Sequence, residues 1–123
     1  MERRLNRFGP TLLLALAFIV VTHVSEAADS IRTVDVRLSR YAFAPEHIEV
    51  RLGERVRLNL VSLDRAHGFR VKELGLNTHV PAGASVTLEL RPTQPGTFEI
   101  TCSVYCGVGH GRMKASLIVR PGP

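Results

Sequence analysis

The sequence predicts an all-β protein folded as a Greek-key β-sandwich, and three observations lead to that prediction. After Ser30, apolar and polar residues alternate in short runs, turn-forming residues separate the runs, and no long stretch shows helical apolar spacing. Alternation with a period of two places apolar side chains on one face of a strand. Such faces are typical of antiparallel strands that cover a core on one side. Several short strands in one modest domain indicate a sandwich.

Six alternating runs are expected to form strands, and they follow one another along the chain. They span residues 34–38, 48–52, 56–60, 86–90, 98–102 and 115–119. Turns are expected at Gly53-Glu54, at Pro81–Gly83 and across Arg91–Gly96. The run that ends at Cys102 places its sulfur at one rim of the sandwich.

The N-terminus has the composition of a targeting segment. A basic start is followed by an apolar run over residues 12–21 and by the small-residue site Ser25-Glu-Ala27. This order predicts a signal peptide over residues 1–27, ahead of a domain over residues 28–123. An uncleaved single membrane anchor through residues 8–24 is the alternative, although a spanning helix needs about 20 apolar residues. Both interpretations export the domain, to the bacterial periplasm or the outer face of the cytoplasmic membrane.

The charge of the chain argues against a nucleic-acid partner. The formal net charge is +5, and loss of residues 1–27 would remove three arginines and two glutamates and leave +4. The basic residues are spread along the chain without a Lys/Arg block, as on a solvated surface. We therefore expect no nucleic-acid binding.

The stretch Cys102–Met113 contains both cysteines of the protein, together with His110 and Met113. A disulfide between residues four apart would close a very short loop and remove little entropy from the unfolded chain. Thiolate and thioether ligands together favour copper, whereas a zinc site would need a further Cys, His or carboxylate. Gly107, Gly109 and Gly111 allow the loop to wrap closely.

Three copper sites remain compatible with these ligands. A single blue-copper ion would use Cys106, His110, Met113 and an upstream histidine and leave Cys102 idle. A dinuclear site would use both thiolates as bridges, with one histidine on each ion. A transient site for Cu(I) delivery would use the same soft ligands. The upstream histidine is expected to be His67, because His47 and His79 stand at polar, exposed positions. Asp64 is expected to orient the His67 loop through a hydrogen bond.

The segments Asp64–Phe69 and Cys102–Met113 together resemble the copper A motif of cytochrome c oxidase subunit II, which a domain of nitrous-oxide reductase shares. The resemblance runs from about Tyr41 to Val119 and implies a cupredoxin-like fold with two copper ions. It implies that Cys102 and Cys106 bridge the ions and that His67 and His110 bind one ion each. Met113 and the backbone carbonyl of Val104 would be weak ligands.

The same resemblance implies one-electron transfer from a cytochrome c or another redox protein to a terminal oxidase, with subunit I as a possible partner. No arrangement for catalysis by the chain alone is evident. Many subunits II have Glu at the position of Val104, where its side chain helps to bind magnesium, and a valine side chain has no donor atom for that ion. The chain also has no Trp for electron entry. A net charge of +4 suits an acidic or neutral donor, or docking through an apolar patch near Met113 and Tyr105.

Overall fold

The computed structural model describes residues 20–22 and 30–122, and it confirms the predicted all-β sandwich. Nine strands follow one another, with two single 3-10 turns at Lys72–Leu74 and His110–Arg112. The strands are β1 (Arg32–Ser39), β2 (Ala42–Ala44), β3 (His47–Arg51), β4 (Val56–Ser62), β5 (His67–Val71), β6 (Leu76–Val80), β7 (Ser85–Leu90), β8 (Gly96–Thr101) and β9 (Lys114–Arg120).

The strands form two sheets, one with the order β2-β1-β4-β7 and the other with the order β3-β9-β8-β5-β6. Two strand pairs differ from the antiparallel pairing that the alternation suggested, because β1 pairs with β4 and β3 pairs with β9 in parallel. Alternation reports which face of a strand is buried, but it carries no information about the direction of the neighbouring strand. The remaining strand pairs are antiparallel.

The sequence pattern missed three strands. β2 has only three residues, and β5 and β6 are interrupted by polar residues on the outer face. The first two residues of β5, His67 and Gly68, are buried although neither is a large apolar residue, so the sequence shows no sign of a strand there. His67 therefore opens a strand instead of lying in a loop after β4.

The inward faces of the two sheets meet in one core. Strands β1, β4, β8 and β9 supply most of it, and Phe43 and Phe69 meet edge to face with ring centroids 5.9 Å apart. Burial of these apolar side chains is the main force that holds the sheets together. The core ends at the sulfurs of Cys102, Cys106 and Met113, which lie in the same buried cluster.

The described residues contain no helix long and apolar enough to cross a membrane. The predicted signal peptide or anchor over residues 1–27 lies outside the described part of the chain, apart from residues 20–22.

Candidate metal centre

The six residues predicted to hold metal come together at one end of the sandwich. His67 is the first residue of β5, Cys102 directly follows β8, and Met113 directly precedes β9. Val104, Cys106 and His110 lie in the loop between β8 and β9. The backbone N–H of Cys102 donates to the carbonyl of Met113 at 3.3 Å, so that the β8–β9 ladder closes the loop at its base.

The two cysteines are free thiols and are not joined. Their sulfurs are 3.8 Å apart, whereas a disulfide requires about 2.05 Å. The disulfide alternative is therefore not the state of this loop. Both side chains are buried, Cys106 completely.

The two histidines approach different sulfurs. Nδ1 of His67 lies 3.9 Å from Sγ of Cys102, and Nδ1 of His110 lies 3.8 Å from Sγ of Cys106. His67, Cys102 and Cys106 form a compact group whose ligand atoms all lie within 4.8 Å of one another. His110 is not a member of that group, and Cys106 is the thiol that its ring approaches.

Two weaker donor atoms complete the cluster. Sδ of Met113 lies 3.8 Å from Sγ of Cys106, and the carbonyl oxygen of Val104 lies 3.1 Å from Sγ of Cys102. Each sulfur thus has one imidazole nitrogen and one weaker donor beside it. Met113 is 1% exposed, which keeps its thioether out of solvent.

The donor set fits copper. The sulfurs are 3.8 Å apart, close to the roughly 3.8 Å expected for two thiolates that share one tetrahedral metal with metal–sulfur bonds of about 2.3 Å, as in zinc sites. The spacing therefore suits a shared metal, and the choice of copper rests on the ligand types. Two thiols, two imidazoles and a thioether are soft to intermediate ligands of the kind that copper prefers.

Asp64 holds the ring of His67 in place. Its Oδ1 lies 2.6 Å from Nε2 of His67, which leaves Nδ1 directed at the sulfur. The carboxylate also accepts hydrogen bonds from the backbone N–H groups of Arg40 and Arg65, at 2.8 and 2.7 Å. Burial tends to raise the pKa of Asp64, but these hydrogen bonds and that to His67 outweigh it and lower the pKa to about 2. Asp64 is therefore a permanent carboxylate at neutral pH.

The Cys106 thiol is hard to ionise without a metal. Burial raises its pKa to about 11, and the neighbouring Cys102 adds to the increase through a hydrogen bond and its charge. The metal-free protein therefore keeps this thiol protonated at neutral pH. A bound metal would displace the proton, because coordinated thiols are deprotonated.

Three contacts that support the cluster were missed by sequence reasoning. The N–H of Gly68 donates to Sγ of Cys102 at 3.5 Å, Nη1 of Arg65 donates to the carbonyl of Cys106 at 3.0 Å, and the ring of Tyr41 packs on Gly109. A Cβ at position 68 would lie 2.8 Å from the backbone nitrogen of Ser103, so only glycine fits this approach. The alternate glycines of the loop signalled close packing, but they did not identify Tyr41 as the partner.

Fold and sequence together define the class of the protein. Residues 11–119 match the Cupredoxin-like domain family, and the chain belongs to that family. The resemblance carried by the cysteine loop is confirmed by sequence relatives. One is cytochrome c oxidase subunit 2 of Thermus thermophilus, which is 33% identical over 88 residues. That match covers 72% of this chain and 65% of the relative, so the chain spans less than two thirds of the relative's length.

Solved structures show the same fold. One is the periplasmic domain of subunit II of a Bradyrhizobium japonicum cytochrome oxidase, with a TM-score of 0.66 and 16% identity, covering 73% of this chain and 84% of that one. Another belongs to a heme-copper terminal oxidase dimer, with a TM-score of 0.66 and 22% identity, covering 78% of this chain and 68% of that one.

Proposed function

We propose that this protein carries single electrons through a dinuclear copper centre, as the subunit II-like entry domain of a heme-copper oxidase. One observation carries the proposal: two buried sulfurs 3.8 Å apart each face a different histidine. Similarity to a cytochrome c oxidase subunit 2 supports the choice of a redox role over a structural one.

In this proposal each donor group has its own role in holding the two copper ions. Cys102 and Cys106 would bridge the two ions, while His67 and His110 would each bind one ion through Nδ1. Met113 and the Val104 carbonyl would be weak ligands beside Cys106 and Cys102 respectively. The copper pair would supply one-electron redox chemistry, with the added electron shared between both ions.

The chain's own contribution is a rigid, dry set of ligands. His67, Cys106 and Met113 are at most 1% exposed, and the β8–β9 ladder holds both ends of the loop. Asp64 fixes the tautomer and orientation of His67. A ligand set positioned by the fold changes little when the charge of the centre changes, which favours rapid electron transfer.

The same proposal assigns partners and location. The donor would be a cytochrome c-like or other small redox protein, and the acceptor would be an oxidase subunit I. The domain would act outside the cytoplasm, in the periplasm or at the outer face of the membrane. Support comes from the subunit 2 relative and from the predicted targeting segment over residues 1–27.

Two other copper functions compete with this one. A single blue-copper ion would use Cys106, both histidines and Met113 and would leave Cys102 without a role, yet the Cys102 sulfur lies 3.9 Å from Nδ1 of His67 and 3.8 Å from the Cys106 sulfur. A Cu(I) delivery site would suit the same sulfurs but has no evident need for a separate histidine beside each sulfur. The observed arrangement therefore favours the dinuclear site.

The decisive variant is Cys102→Ser, because a dinuclear site requires this residue and a blue-copper site does not use it. The purified full chain is reconstituted with copper, and its metal content, absorption and EPR spectra are recorded. We expect two copper ions per wild-type chain, a purple colour and one unpaired electron shared between both ions. We expect Cys102→Ser to lose one ion and the shared-electron spectrum.

The matched control is His79→Gln, which changes an exposed histidine on β6 and should bind two ions like the wild type. A single ion with an intense blue colour in the wild type would establish the blue-copper alternative. Loss of all copper from the wild type to a mild Cu(I) chelator would establish the delivery alternative. Either result ends the dinuclear proposal.

A further inference from the structure

The strongly exposed large apolar side chains of residues 30–122 all lie at the end of the sandwich that carries the metal cluster. They are Leu63 in the β4–β5 connection and Tyr105 and Val108 in the β8–β9 loop, with exposures of 60%, 74% and 95%. We call these three residues the rim patch. Exposed apolar side chains gathered at a functional site mark a surface for contact with another molecule.

Tyr105 of the rim patch lies against His110, the one donor side chain that reaches the surface. His67, Cys102, Cys106 and Met113 are buried, whereas His110 is half-buried. The ring of Tyr105 lies against the imidazole of His110, with centroids 5.7 Å apart. Met113 itself is 1% exposed and lies in the core cluster, so the surface near it is supplied by Tyr105. A partner seated on Tyr105 and Val108 would therefore be closest to His110.

Basic side chains border the rim patch. Arg112 is exposed in the turn that begins at His110, Arg65 is bonded to the Cys106 carbonyl, and Arg40 is exposed beside Asp64. Asp64 is the acidic group among them, and it is engaged with His67 and two backbone N–H groups.

Two further carboxylates lie at the edge of this end. Glu99 forms an ion pair with Lys114 at 3.2 Å. Glu46 directly precedes β3, and its backbone carbonyl accepts a hydrogen bond from the backbone N–H of Ser116. The charge that immediately borders the patch therefore remains positive.

We infer that the rim patch is the docking surface for an acidic redox protein. The partner's apolar redox edge would cover Tyr105 and Val108, and its carboxylates would face Arg40, Arg65 and Arg112. The inference rests on the proposed function in one respect, the redox nature of the partner. The charge complementarity follows from the surface itself, and it sets the association rate and excludes strongly basic partners.

The test compares two cytochromes c of opposite net charge, both with an exposed haem edge, as electron donors to the copper-loaded full chain. Stopped-flow rates are measured across ionic strength. We expect the acidic cytochrome to react faster at low salt and to slow as salt is added, because salt screens attraction. The basic cytochrome should react slowly at low salt and faster as salt is added, because salt also screens repulsion. Faster reaction of the basic cytochrome at low salt, slowing as salt rises, would overturn the inference.

A charge reversal at the patch sharpens the test. Arg112→Glu should lower the low-salt rate with the acidic cytochrome about five- to tenfold, since one interface charge strongly changes steering. The matched control is Arg51→Glu at the end of β3, which changes the net charge equally at the other end of the sandwich. If both variants lowered the reaction rate equally, the net charge of the domain would control the rate and the rim patch would not be the docking surface.

Docking is also measured without the metal, so that the inference and the proposed function can fail separately. NMR shifts of the metal-free chain are followed during titration with the acidic cytochrome. Perturbation centred on Tyr105, Val108 and Arg112 supports the docking surface even if no dinuclear centre forms. Perturbation elsewhere, or none at low salt, overturns it even if the copper spectra are those of a dinuclear site.

Discussion

The two ends of the sandwich use their polar groups in different ways. At the metal end, the sulfur and imidazole groups are buried or half-buried and lie within about 4 Å of one another, and the Asp64 carboxylate lies 2.6 Å from His67. At the opposite end, charged side chains pair in solvent, as in Arg32 with Glu54 and Arg120 with Glu49. Buried polar groups tolerate few changes, whereas exposed ion pairs contribute little each. Changes of similar size should therefore have unequal consequences at the two ends.

The largest effect on stability is expected from Gly109→Ala at the metal end. The new Cβ would lie 2.5 to 2.7 Å from three ring atoms of Tyr41, so either the ring or the ligand loop must move. Overpacking of this kind costs about 1–3 kcal/mol, and we expect about 2 kcal/mol in the free energy of unfolding by urea.

The same loop offers the control, because a Cβ at Gly111 would meet no atom within 4 Å. Gly111→Ala should leave stability nearly unchanged. Combining Gly109→Ala with Tyr41→Ala should cost less than the sum of the two single changes, since the clash is then absent. Equal urea midpoints for the two glycine variants would refute the packing of Tyr41 on this loop.

A pH-dependent effect is expected from Asp64→Asn in the metal-free protein. The pKa of Asp64 is lowered to about 2 in the folded state, against about 3.9 in an unfolded chain. A carboxyl whose pKa is depressed by folding stabilises the protein above its unfolded pKa, and the stabilisation is lost as the pH falls through its folded pKa.

Wild type should therefore unfold at higher urea than Asp64→Asn at pH 7, and the difference should shrink between about pH 4 and pH 2. The measurement is the urea midpoint of both proteins across this range. A difference that stayed constant down to pH 2 would show that the carboxylate charge of Asp64 does not contribute to stability.

The smallest effect is expected at the opposite end, from Glu54→Gln. Glu54 accepts hydrogen bonds from Nε of Arg32 at 2.5 Å and from the backbone N–H of Arg51 at 2.9 Å. The hydrogen bond from Arg32 is the main reason that the pKa of Glu54 is lowered. Exposed pairs contribute about 0.2–1 kcal/mol, so we expect a loss of about 0.5 kcal/mol at low salt that decreases in 1 M salt. A loss larger than that of Gly109→Ala would reverse the comparison between the two ends.

Sequence patterning predicted the strands with clear alternation and failed where alternation breaks down. The runs at 34–38, 56–60 and 115–119 all lie within observed strands. β5 was missed because His67 and Gly68 are buried at its start, where the metal cluster and Ser103 require these residue types. The positions that depart from a strand pattern are those that serve the site, as expected when function overrides local preference.

By itself, the sequence determined the class of fold and the loop that carries the ligands. It also supplied the hypothesis that His67 is the upstream histidine. These follow from residue types and from short-range spacing. The sequence suggested that Asp64 orients the His67 loop, but only the tertiary structure showed that its carboxylate meets the imidazole, and that Gly68 meets Cys102, Arg65 meets Cys106 and Tyr41 meets Gly109. Three of these pairs join residues more than 30 positions apart, and Asp64 meets His67 only because β5 starts at that point. Alternation specifies the face of each residue, whereas strand order and register specify its neighbours.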